Sequence, residues 1–204
     1  LNKYLDKYLK QKTRKSLAHT LVGQIQQGQQ LLMDHEDEKL VEFTNMLCGL
    51  GAHYINQYSR ATGAMFKCNK SVEMDELWSV HSYERDYNPI HSHGTKTLMG
   101  VSVTMWTKVP QQILDQPTAG TSDYSLYNSS GHSDGCLAFQ YGQSHVTDNE
   151  MLKPAPSFVV RPEVGKLYLF PSWLQHMVYP FQGKGERRTV AANLNCWDVA
   201  EEAA

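Results

Sequence analysis

From Ser71 onward the hydrophobic period of this chain changes from helical to strand-like and does not change back, and no other feature restricts the fold as much. Five β-rich runs follow: ELWSVHSYERDY, TLMGVSVTMWTKV, DGCLAFQYG, SFVVRPEVGKLYLFPSW and ERRTVAANLNCW. Turn signals such as Asn88-Pro89, Gly131, Pro154, Pro156 and Gly183 to Gly185 separate them. Many short strands without intervening helices exclude a wound parallel sheet and predict an antiparallel barrel or double-sheet jelly roll.

Before that change the pattern is helical. Acidic residues crowd the stretch from Asp34, and Leu40, Phe43, Leu47, Leu50, Tyr54 and Tyr58 then recur at three- and four-residue steps up to Gly63. This predicts one long amphipathic helix with a face for a sheet. Residues 1–33 carry weaker repeats, Tyr4 with Tyr8 and Leu5 with Leu9, ended by the run QIQQGQQ, and read as partly helical and peripheral. The expectation is mainly β with N-terminal helices: residues 1–70 a helical support, residues 71–204 the barrel, in a single domain. At 204 residues the chain can bury one full core without a second.

The composition removes several classes of partner. Nineteen basic against 21 acidic side chains give a formal net charge of -2, no field for gathering nucleic acid or anionic membrane. Cys48, Cys68, Cys136 and Cys196 are far apart and form no CxxC pair, so they read as buried thiols of a reducing compartment. The start LNKYLDKYLKQKTRKS has no uninterrupted apolar core of a signal peptide, and no window reaches a membrane span. A cytoplasmic location is expected, and Leu1 indicates that the native start lies upstream. A homodimer is left open.

The chemistry concentrates in a few polar residues. His91 and His93 stand at i and i+2 in NPIHSHG, so on a strand end they point the same way, which suits two ligands to a metal and equally two polar residues at a strand end. A third ligand is available in His176, directly after an apolar strand and a Pro-Ser-Trp turn. Eleven residues on, Arg187, Thr189, Ala191 and Asn193 share one strand face, while Val190, Ala192 and Leu194 share the other. A guanidinium pointing into a barrel needs an anion, and a carboxylate of a small diacid would serve. The neighbouring Arg188 points to the opposite face, and a one-residue slip of register would exchange the two. His81 and Tyr83 lie on the strand leading to the site and are candidates to line it. Asn88 is a candidate substrate contact, although Asn-Pro is first of all turn chemistry. Trp78, Trp106, Trp173 and Trp197 read as core.

These residues resemble the 2-oxoglutarate and iron(II)-dependent oxygenases, especially a bacterial and phage branch with N-x-x-H-x-H, G-x-L-x-F, F-P-S-W-L-x-H-x-V and E-R-x-S/T. The chain has Asn88-Pro89-Ile90-His91-Ser92-His93, Gly135-Cys136-Leu137-Ala138-Phe139, the run from Phe170 through His176 to Val178, and Glu186-Arg187-Arg188-Thr189. The likeness spans roughly residues 78–197. It departs where the branch tends to Ser-Gly and Phe-Asn, since this chain has Met99-Gly100 and Ala192-Asn193. Most of the superfamily also has a carboxylate where His93 stands.

The resemblance implies a double-stranded β-helix, Fe(II) held by His91, His93 and His176, and 2-oxoglutarate and O2 as co-substrates. The far carboxylate of 2-oxoglutarate would pair with Arg187 and hydrogen-bond Thr189, with Tyr83 and His81 nearby. The products would be succinate, carbon dioxide and a hydroxylated small molecule or peptide of unassigned identity. Water in place of His93, a cupin-like three-histidine dioxygenase or isomerase that ignores 2-oxoglutarate, and a non-catalytic metal-binding barrel stay open. The polar stretch 110–134 reads equally as a lid and as an insertion.

Overall fold

The structure is a computed structural model that describes residues 1–26, 28–63, 72–97, 99–116, 133–141 and 157–197. The chain opens with helix α1 (Asn2–Tyr8), strand β1 (Lys15–Ser16), a single 3-10 turn (Ala18–Thr20), strand β2 (Gln29–Leu32) and the long helix α2 (Val41–Thr62). Strands β3 (Val72–Ser82), β4 (Asn88–His91) and β5 (Val101–Lys108), the short helix α3 (Gln111–Leu114), and strands β6 (Leu137–Gln140) and β7 (Ser157–Val160) follow. Then come β8 (Leu167–Pro171), β9 (Gln175–Val178) and β10 (Arg187–Cys196). Residues 117–132, the centre of the connection considered as a lid, and Cys68 lie outside the described residues.

All pairings are antiparallel. One sheet has the order β1-β2-β3-β10-β5-β8 and the other β4-β9-β6-β7. Two such sheets, with their inner faces turned to each other, are a double-stranded β-helix, the arrangement expected of alternating strands without crossover helices. The N-terminal part is less helical than its sequence suggests. Gln29–Leu32 pairs with β3 over four residues, and it does so although its glutamines carry no strand signal, because β3 offers an open edge.

Helix α2 begins at Val41, seven residues after the acidic stretch starts, and ends at Gly63, whose positive φ of 68° closes it. Its buried face is Thr44, Leu47, Gly51 and Ile55, rather than the wider stripe the periodicity suggested, and Leu50 and Tyr58 are exposed. Gly51 marks the closest approach to the sheet: a Cβ there would lie 2.7 Å from Leu194 Cδ1. The core beneath the helix is built from Leu77 of β3, Val101 and Val103 of β5, and Val190, Ala192 and Leu194 of β10. A second cluster between the sheets joins Trp106, Leu137, Phe139, Val160 and Phe170. Trp78 and Trp106 are buried as expected, but Trp173 and Trp197 are 63% and 43% exposed, since they follow strand ends and not strand interiors. No helix among the described residues is long and apolar enough to cross a membrane.

Candidate active site

Alternation along β10 decides what faces the space between the sheets. Arg187, Thr189, Ala191 and Asn193 line a cavity of about 260 Å³, whereas Val190, Ala192 and Leu194 pack under α2. On β3 the same rule sends Trp78, Val80 and Ser82 to the cavity. The opposite wall comes from β4, β6 and β9, including His91, Leu137 and His176, and Phe170 of β8 adds to the near wall beside β5.

The three histidines meet at this cavity. His91 of β4 is paired with His176 of β9, and the ring centroids are 4.3 Å apart. His93 follows β4, its backbone N–H donating to Ser172 O at 2.9 Å, and its ring lies 5.3 Å from His91 and 4.9 Å from His176. One ring nitrogen from each of the three lies within 4.8 Å of the others.

Each imidazole is held by its other nitrogen. His91 Nδ1–H donates to Pro89 O at 2.7 Å, His176 Nδ1–H to Leu174 O at 3.0 Å, and His93 Nδ1–H to Asn193 Oδ1 at 2.8 Å. Ser102 Oγ–H donates to the same Asn193 oxygen at 2.9 Å. A carbonyl on Nδ1 fixes the tautomer and leaves Nε2 as the lone-pair donor, the usual support for a metal-binding histidine. Burial lowers all three pKa values, for His93 to about 4 and for His176 to about 3, so the rings are neutral at pH 7. Phe170 and Phe139 pack against His176 and keep that side dry. Three neutral, pre-oriented imidazoles fit a borderline divalent ion such as Fe(II). Asn88 Nδ2–H donates to His91 Nε2 at 3.2 Å, so a metal would compete with this amide.

Arg187 is buried to 4% exposure. Its Nη1 donates to Gly135 O and Tyr179 O, both at 3.0 Å, and its guanidinium lies 5.7 Å from the Phe181 ring centre. No carboxylate of the described residues forms an ion pair with it. Burial pushes its pKa down to about 10, still well above neutrality, so the charge stays. Arg188, one residue on, faces away from the cavity and pairs with Glu186 at 2.8 Å and Asp6 at 2.7 Å.

Two expected cavity residues are placed elsewhere. His81 is paired across the sheet with Arg188 and shares its outward face, where its Nδ1 lies 2.7 Å from Glu186 Oε1 and its Nε2 3.1 Å from Ser79 Oγ. Tyr83 follows the end of β3 and is not part of the cavity wall, and its backbone N–H donates to Asp86 Oδ2 at 2.9 Å. The parity of β3 relative to β10 decides His81, and the turn after β3 decides Tyr83. Asn88 and Thr189 do line the cavity, and Asn88 Oδ1 also accepts from Gly23 N–H at 3.0 Å. Sequence reasoning passed over Asn193 as a support for His93, although it shares the face of Arg187, and passed over the apolar wall of Leu17, Leu21 and Ile25.

A family model of 2OG-Fe(II) oxygenases matches residues 76–193, the span that holds the three histidines and both arginines. The chain belongs to that family. Its fold is similar to that of the non-heme alpha-ketoglutarate-dependent carbocyclase SnoK from nogalamycin biosynthesis. The TM-score is 0.57 at 11% identity, over 95% of this chain and 72% of that one. A Pseudomonas putida prolyl-4-hydroxylase gives a TM-score of 0.49 at 13% identity, covering 91% of this chain and 78% of that one. A 2OG-Fe(II) oxygenase family oxidoreductase from Burkholderia pseudomallei gives 0.46 at 12% identity, covering 87% and 69%. No curated protein matches the chain. The oxygenase accordingly uses Fe(II), 2-oxoglutarate and O2, and its three-histidine group is suited to iron.

Proposed function

We propose that His91, His93 and His176 hold Fe(II) through their Nε2 atoms, that Arg187 and Thr189 take the far carboxylate of 2-oxoglutarate, and that the enzyme hydroxylates a small molecule or peptide. One observation carries this reading: three neutral imidazoles, each tied by Nδ1–H to a carbonyl, share a cavity with a buried arginine that forms no ion pair among the described residues. Bound Fe(II) and 2-oxoglutarate would activate O2, the oxidant: one oxygen atom would go to succinate as carbon dioxide leaves, and the other to the substrate as hydroxyl.

The rest is work for the chain. Three neutral ligands leave the site one unit more positive than two histidines and a carboxylate, which favours a dianionic co-substrate. Arg187 holds that co-substrate by charge-assisted hydrogen bonds where water competes little, and Thr189, two residues along the same face, adds a hydroxyl. Phe139 and Phe170 exclude water around His176. Asn193 and Ser102 orient His93, which stands where most of the wider superfamily has an acid. A three-histidine dioxygenase without 2-oxoglutarate, or a barrel without chemistry, leaves Arg187 buried with no anion to meet. We also assign the enzyme to the cytoplasm, where a reducing medium suits Fe(II) and the thiols of Cys48, Cys136 and Cys196.

The test is succinate formation from 2-oxoglutarate with Fe(II), ascorbate and O2. Iron-dependent succinate that disappears in His176→Ala supports the assignment. Metal-dependent O2 consumption that ignores 2-oxoglutarate contradicts it.

A further inference from the structure

Among the described residues two formally charged side chains other than histidine line the cavity, and the reading of the site uses only Arg187; the second is Glu76. It stands on β3 at the exposed rim, and no hydrogen bond or ion pair reaches its carboxylate among the described residues, whereas the adjacent Asp75 is paired with Lys96 at 2.7 Å. Glu76 is the cross-strand partner of Asn193, the residue that accepts from His93 Nδ1. Directly opposed side chains on one face have Cβ atoms roughly 5 Å apart, so this carboxylate stands beside the mouth of the histidine group without belonging to it.

The surroundings of Glu76 narrow what can meet it. Trp78 is two residues on and shares the face, with its ring 5.5 Å from that of His93. Leu17, Leu21, Val22 and Ile25 add an apolar wall from the N-terminal segment. That wall is pinned to the entry of β4: Tyr87 N–H donates to Gln24 O at 3.1 Å, and Gln26 N–H to Asp86 Oδ1 at 2.8 Å.

We propose that the substrate is an organic cation with an apolar body, its cationic group at Glu76 and Trp78 and its apolar part along Leu21 and Ile25 in front of His93. This rests on the reading of the site given above. An anionic substrate would face Glu76, and Lys96, the basic group beside it, is already held by Asp75 at 2.7 Å. A neutral apolar one would leave the exposed carboxylate to water and gain nothing from it. A cation satisfies the carboxylate and gains the indole face as well.

The experiment uses three probes of equal length, hexylammonium, hexanol and hexanoate, titrated calorimetrically and without O2 into the protein loaded with Fe(II) and 2-oxoglutarate. The two loading affinities are measured first. Hexylammonium is expected to bind about tenfold more tightly than hexanol, with hexanoate weakest, and Glu76→Gln should bring the first two within about twofold. Fe(II) and 2-oxoglutarate affinities are expected to be the same in both proteins. No binding of hexylammonium, equal binding of hexylammonium and hexanol by the wild type, or a preference that survives Glu76→Gln overturns the proposal. So does a loss of Fe(II) affinity in Glu76→Gln, which would make the carboxylate a counter-charge for the metal. Failure of the wild type to load with Fe(II) and 2-oxoglutarate sinks the reading of the site itself, and this proposal with it.

Discussion

Arg187 and Arg188 are neighbours in sequence, are both buried, and lead opposite lives. Arg188 is 1% exposed and its guanidinium is met by Glu186 and Asp6, with Asn2 accepting a further hydrogen bond. Arg187 is 4% exposed, and among the described residues its guanidinium hydrogen-bonds two backbone carbonyls and forms no ion pair. A buried cation with its acids in place is a structural tie, here fastening α1 to the end of β10. One with carbonyls alone keeps a charge ready for an anion from outside. The single-residue alternation of a strand separates the two roles.

Breaking the structural side should have the largest effect. Arg188→Gln removes the guanidinium between Glu186 and Asp6 while His81 and Lys108 stay on Glu186, so the cost is at the lower end for breaking a buried pair, about 3 kcal/mol. Urea unfolding should show that loss, while 2-oxoglutarate affinity of the folded protein stays within about twofold. A large change in co-substrate affinity would exchange the roles of the two arginines. On the cavity side, Arg187→Gln should weaken 2-oxoglutarate binding by about 100-fold, the scale of a lost pair of charge-assisted hydrogen bonds, with Fe(II) affinity unchanged. Calorimetry without O2 reads both. A smaller effect is expected at the support of His93: Asn193→Ala should lower Fe(II) affinity by about tenfold, since the carbonyl that orients the ring is gone.

The weakest contrast is in pH, and it separates the two faces by window. The cavity histidines have folded pKa values below the ordinary 6.5, so between 6.5 and their folded values the unfolded chain binds more protons and stability falls as pH falls. Glu186 is raised by burial, but hydrogen bonds from His81, Arg188 and Lys108 outweigh this and bring it to about 2, so its contribution is lost only as pH falls from about 4.5. Melting temperatures of the metal-free protein should therefore decline already between pH 6.5 and 4.5. His176→Gln should reduce that slope, and Glu186→Gln should leave it in place and flatten the drop below it.

Much of this division was legible in the sequence because it follows from a period of two. Arg187, Thr189, Ala191 and Asn193 share one face by alternation alone, and spacing and motif single out His91, His93 and His176, which the fold brings together. The positions that went astray depend on how strands pair. His81 shares the face of Arg188 only through the β3–β10 register, Arg188 against His81, which no local pattern encodes. Gln29–Leu32 becomes a strand because β3 presents an edge, and Leu17, Leu21 and Ile25 become cavity wall because that segment is tied to residues 86–88. Tertiary contact overrode weak local propensity at both places.

The most direct test of the central claim is a crystal structure of the protein grown without O2 in the presence of Fe(II) and 2-oxoglutarate. The expected result is one iron with Nε2 of His91, His93 and His176 each at about 2.0–2.2 Å, and the far carboxylate of 2-oxoglutarate on Arg187 and Thr189. Iron held by His91 and His176 with the His93 ring turned away, or a co-substrate carboxylate that does not touch Arg187, would contradict it.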